Sequence, residues 1–179
     1  MSSVNVSGQA YGFLAITPIE EDELQGLRSY IESLGATRPF ERVAGTHMAR
    51  LVIVEDFNHK PSYKQRKQDH LKLPMLCFSS NFDGDLDGYL DRLSAGLAGE
   101  TPEIWGRCIG GPKDPDDLKA YLKHNQIDCG LFYAAYGSAT VEQVRSSLDQ
   151  RERMIAFATR AQGMQPAELQ RAFVTEFAS

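Results

Sequence analysis

Three cysteines and one tryptophan among 179 residues are the first scarcities of this chain. An odd, small number of thiols cannot build a disulfide framework, and without a CxxC pair a structural zinc site has no ligand set. Unpaired thiols suit a reducing compartment, so a cytoplasmic location is expected. No stretch approaches 18 consecutive apolar residues, which excludes a membrane-spanning helix and, with it, a membrane partner. The first ten residues are polar and small and lack the charged start and apolar run of a secretory leader. Charge of one sign is not in excess: 19 Lys and Arg stand against 24 Asp and Glu, for a net charge of -5. A general nucleic-acid binder carries a basic face, so nucleic acid is not the expected partner. H-x-x-x-H, H-E-x-x-H, G-x-S-x-G, P-loop and dinucleotide patterns are all missing, which removes the ready-made metal, hydrolase and nucleotide motifs. No metal and no cofactor is therefore expected from the motifs.

What is present is ordinary globular composition, 42 % hydrophobic and 24 % charged. A chain of this length reads as one domain, 1–179, with a core over about 11–160 and a C-terminal helix over 166–178. Tyr11 to Ile19 is an apolar run ended by proline and predicts a strand. Glu20 to Leu34 predicts a helix, with Leu24, Leu27, Ile31 and Leu34 at helical spacing and Gly35 at its end. Thr46 to Asp56 and Met75 to Ser80 predict two more strands. Between them a polar connection holds His59, Lys60, Tyr63, Lys64, Arg66, Lys67, His70 and Lys72. Over 59–72 it has five Lys or Arg against one Asp. That basic loop 59–72 is the one place where an anion or a nucleic acid could be met, although a solvated loop is the plainer reading.

Asp85 to Leu97 predicts a second helix, and Asp114-Pro115 opens another that runs to His124, with Lys123 and His124 at its negative end. Ile127 to Tyr136 alternates and predicts a fourth strand. Thr140-Val141-Glu142-Gln143 fits a capping box that opens a long helix to about Ala161, with Val141, Val144, Leu148 and Ile155 as its buried stripe. Pro166 starts the last helix, with Leu169, Phe173 and Phe177 on one face. The resulting order begins β-α-β-β-α-β, the ferredoxin-like α+β motif: an antiparallel sheet with helices on one face. Its other face, this apolar, must be covered by the C-terminal helices or by a second subunit. A homodimer closing a dimeric α+β barrel is the favoured solution.

Few residues stand out for chemistry. Asp83-Gly84-Asp85-Leu86-Asp87-Gly88 imitates the opening of a calcium loop but has Ser94 where the bidentate glutamate belongs, so a helix cap by Asp83 or Asp85 is the better reading. His47 is the one histidine inside a predicted strand. It is a candidate general base or ligand, while His59, His70 and His124 read as surface histidines. Arg50, three residues on, falls on the opposite strand face unless a bulge or a second subunit brings it round. Cys77 and Cys129 read as core thiols, and Cys108, next to Arg107, as a thiol of lowered pKa if exposed. Asn81, Asp83, Trp105, Tyr133 and Tyr136 lie at strand ends and loops and could line a small-molecule pocket.

Several phrases carry a resemblance: Gly45-Thr46-His47-Met48-Ala49-Arg50, Phe78-Ser79-Ser80-Asn81-Phe82-Asp83-Gly84, Ile104-Trp105-Gly106 and Phe132-Tyr133-Ala134-Ala135-Tyr136. Together they resemble a group of uncharacterised bacterial proteins, which implies a ferredoxin-like α+β unit without an assigned reaction. Ser80-Asn81-Phe82-Asp83-Gly84 is also similar to the G-x-x-D-G signature of dye-decolourising haem peroxidases, with Ser80 in place of the first glycine. That likeness implies an alternative: a haem-dependent, dimeric-barrel oxidoreductase in which His47 is ligand or base, Asp83 is the acid/base, and Arg50 or Tyr133 supports them. The leading expectation is an α+β module, dimeric, that binds a small apolar or anionic ligand.

Overall fold

The computed structural model describes residues 4–57 and 69–177 and has an α+β architecture. Contacts divide the chain into two compact units, Met1–Val141 and Glu142–Ser179. The first contains a four-stranded antiparallel sheet of strands β1 (Val6–Ser7), β2 (Ala10–Pro18), β3 (Thr46–Val54) and β4 (Met75–Asp83), in the order β1-β2-β4-β3. Because β2 and β3 both run antiparallel to the β4 between them, they are parallel to each other. Helix α1 (Leu24–Thr37) makes the long connection between them, and α2 (Leu86–Gly96) follows β4. The short α3 (Thr101–Ile104) and α4 (Leu118–His124) complete this unit.

Alternation along the strands sorts the side chains onto two faces. On one face Phe13, Ala15, Leu76, Phe78 and Phe82 meet Leu27 of α1, Tyr89, Leu90 and Leu93 of α2, and Ile104, Trp105, Leu118 and Leu122. The Phe82 and Tyr89 rings stack at 3.6 Å, and Trp105 meets Phe78 edge-on at 5.3 Å. Helix α1 does not stop at Gly35 as predicted. It runs through that glycine to Thr37, and Arg38 takes the left-handed turn at φ 46°, its N–H reaching Leu34 O at 3.0 Å. The predicted caps form: Asp85 accepts from Gly88 N–H at 2.8 Å, and Asp114 from Asp116 N–H at 3.0 Å.

The fourth strand predicted over 127–136 does not form. The reason is the edge it would need. The outer edge of β2 is shared by three short segments: Gly12 N–H bonds Asn5 O, Ile127 N–H bonds Leu14 O, and Ile109 N–H bonds Pro18 O, all at 2.8 Å. The two-residue β1, which the polar N-terminal sequence did not suggest, takes the first portion. Residues 128–136 are then tied to the segment around β1 by side chains: Cys129 N–H to Asn5 Oδ1 at 2.8 Å, and Ala134 N–H to Ser7 Oγ at 3.1 Å. Asn5 is buried at 2 % exposure, and its amide also donates to Asp128 Oδ1 at 2.7 Å.

In the second unit α5 (Val141–Arg160, of which Val141 closes the first unit) and α6 (Pro166–Phe177) form a helical pair. Phe157 packs edge-on against Phe173 at 5.7 Å and Phe177 at 5.5 Å. The predicted buried stripe is therefore displaced: Val144, Leu148 and Ile155 are exposed, because α6 packs on the line of Arg153, Phe157 and Arg160 instead. Among the described residues no helix is long and apolar enough to cross a membrane.

Candidate functional site

The second face of the sheet is the candidate site. Its rows follow from the pairing register: Gly12, Asn81 and Met48; Leu14, Ser79 and Arg50; Ile16, Cys77 and Val52; Pro18, Met75 and Val54. Directly opposed residues on one face lie roughly 5 Å apart, so each row is a contact row. Met48 is 63 % and Val52 41 % exposed. Phe132 lies over the first row, since a methyl group placed on Gly12 would stand 2.6 Å from its ring.

A bulge reshapes one end of this face. Thr46 stands opposite Phe82 but Met48 opposite Asn81, so His47 is an extra residue between them. Such an insertion breaks the two-residue alternation. It places His47 beside Asp83, whose Oδ1 accepts from His47 Nε2 at 2.6 Å, while Oδ2 accepts from Val141 N–H at 2.7 Å. The residue pair that sequence alternation set on opposite sides, His47 and Arg50, thus shares one sheet face through the bulge.

Arg50 makes no hydrogen bond or ion pair among the described residues, and neither do the side chains of Ser79 and Asn81 beside it. Three polar groups with free hydrogen-bonding capacity therefore sit in an apolar field. Ser79 was missed as a site residue: its place opposite Arg50 depends on pairing between distant segments. Ser80, by contrast, faces the core, where its hydroxyl meets Tyr89 Oη at 2.7 Å and donates to Met48 O at 3.0 Å.

The other expected pocket residues do not join this cluster. Trp105 is fully buried in the core, its Nε1 without a partner among the described residues, so it packs rather than lines a surface pocket. Tyr133 and Tyr136 are 78 % and 81 % exposed, because the segment carrying them is not held in a strand. Cys108 is the buried thiol, while Cys77 and Cys129 are half-buried. Burial pushes the Cys108 thiol up to about 11 rather than down. Its neighbour Arg107 turns to Glu23 and Glu103 instead. The three acids of the calcium-like run are each engaged separately: Asp83 by His47, Asp85 as the α2 cap, and Asp87 by Lys119 and Lys123. Of the basic loop, positions 58–68 lie outside the described residues. His70 holds Asp56 at 2.6 Å.

The acid/base role that the peroxidase likeness implies for Asp83 does not fit these residues. His47 Nε2, the outer ring nitrogen, is committed to Asp83, and the second oxygen of Asp83 is committed to Val141. Asp83, held at both carboxylate oxygens, cannot act on peroxide without breaking this bridge. No family model, no curated protein and no solved structure matches the chain.

Proposed function

We propose that the chain is a non-catalytic α+β module of ferredoxin-like topology that pairs with a second copy of itself through the open sheet face and holds a small ligand between the two sheets. The observation that carries this reading is the face itself: Leu14, Ile16, Pro18, Met48, Val52, Val54, Met75 and Cys77 in register around Arg50, Ser79 and Asn81. An antiparallel sheet normally shows water a polar face. A contiguous apolar one marks an interaction surface. A two-fold pairing suits it because one patch then covers its own copy. The order β2-β4-β3, with α1 and α2 on the buried face, supports three strands of the motif. The divided edge of β2 stands where its fourth strand would run.

Size-exclusion chromatography with light scattering tests the pairing. The expected mass is about 40 kDa, twice the 19.9 kDa chain. A monomer at micromolar concentration would overturn the reading.

A further inference from the structure

We propose that the ligand held on the open sheet face is an amphipathic monoanion, a medium-chain carboxylate whose head group lies on Arg50 and whose chain follows the apolar rows; this rests on the pairing proposed above. Arg50 is flanked on its own strand by Met48 and Val52 and faces Ser79 across β4, with Leu14 beyond. Covering this face takes the guanidinium out of water. An unpaired buried cation is strongly unfavourable, so Arg50 then needs an anion.

The strand residues of that face offer one acid, Asp83, and it is occupied by His47 and Val141. Nearby Glu55, just past β3, is paired with Arg28. A second copy facing it through the same patch brings the same residues, so the negative charge comes from a ligand. Guanidinium and carboxylate match as planar, two-point partners, and the Ser79 hydroxyl and the Asn81 amide add neutral donors at the same end. Each copy brings one cation, Arg50, to this face, so one negative charge per chain balances it.

From the Arg50–Ser79 row to the Val54–Met75 row is four residues along each strand. At the rise of an antiparallel strand this is about 13 Å, room for a chain of about ten carbons. Both intervening positions of the middle row, Cys77 and Val52, are apolar, and Ile16 lies beside them.

Calorimetric titration of the full chain with decanoate, decanol and inorganic phosphate tests this, with light scattering on the same samples. Decanoate binding is expected. Arg50→Gln should weaken it about ten- to a hundredfold, the loss of a charge-assisted hydrogen bond, with Arg50→Lys between and the dimer mass unchanged. Decanol should bind at least about tenfold more weakly than decanoate, and phosphate should give no comparable heat. Decanol or phosphate binding as well as decanoate, or unchanged affinity in Arg50→Gln, would overturn the proposal. A dimer that binds no decanoate sinks this inference alone. A monomer that binds none sinks the pairing and the ligand together.

Discussion

Single residues in this protein take their properties from partners far away in sequence. Asp56 shows this on the surface. Its carboxyl accepts from His70 Nδ1 at 2.6 Å and from Leu71 N–H at 2.8 Å. The His70 hydrogen bond, followed by the backbone N–H groups of Leu71 and Phe57, lowers its pKa from 3.8 to about 2. A depressed carboxylate pKa contributes stability above pH 3.8, and that contribution is lost as the pH falls toward 2. An NMR titration should find the Asp56 carboxyl at about 2, and His70→Ala should move it up toward 3.8. Titration unchanged in that variant would remove His70 as the cause. Cys108 shows the opposite case. Its Sγ lies 3.4 Å from Thr17 Oγ1 in the core, and desolvation keeps it a thiol at neutral pH. A thiol reagent should label Cys129 first and Cys108 only as fast as the chain unfolds, with Cys77, on the face proposed to pair, slowed by the second copy. Labelling of all three at one rate, followed by mass spectrometry, would contradict this burial.

Elements are shaped here by competition for edges and by close approach. Residues 127–136 alternate like a strand, yet only Ile127 at their start bonds to the β2 edge, the rest of which β1 and the segment around Cys108 occupy. What remains for this segment is side-chain tethering and the placement of Phe132 over Gly12. That contact makes a specific prediction. Gly12→Ala would drive a methyl into the Phe132 ring at 2.6 Å and should cost about 1–3 kcal/mol by overpacking. In a Phe132→Ala background the same change should be neutral or stabilise by about 0.4–1 kcal/mol, since alanine restricts the unfolded chain. Chemical denaturation of the four variants measures the difference. Equal costs in both backgrounds would mean the ring is not what excludes a side chain at residue 12.

At the scale of the whole molecule the open sheet face is the main consequence of the fold. Val52 is 41 % exposed at its centre, so a charge there strains nothing within one chain. Val52→Asp should leave the far-ultraviolet circular dichroism unchanged and reduce the mass by light scattering from about 40 to 19.9 kDa. Two aspartates facing each other across a dry interface would be desolvated like charges. A variant that stays dimeric would place the interface elsewhere, and the exposed α5 residues Leu148 and Ile155 are where to look next.

Much of the first unit is readable from local signals. The three long strands, the helices α1, α2 and α4, and the Asp85 and Asp114 caps follow from periodicity and from donors that need a nearby acceptor. The site was readable only in part. Arg50, Asn81, His47 and Asp83 are found by type, and Asp83 and His47 do meet. Their common face was not readable, because a one-residue bulge reverses the alternation and leaves no local mark. Trp105, Tyr133 and Tyr136 misled for a related reason: an aromatic side chain in a loop suits a core and a pocket equally, and only packing assigns it.

The amino-acid order by itself determined which segments become helix or strand, since period and capping act within a few residues. Tertiary structure alone decided which strand edges stay open, that His47 bulges onto Asp83, and that Arg50 is left unpaired among apolar side chains among the described residues. Those outcomes depend on pairing between segments some 30 to 120 residues apart (Arg50 with Ser79, Asn5 with Asp128), where backbone hydrogen bonds and burial compete globally.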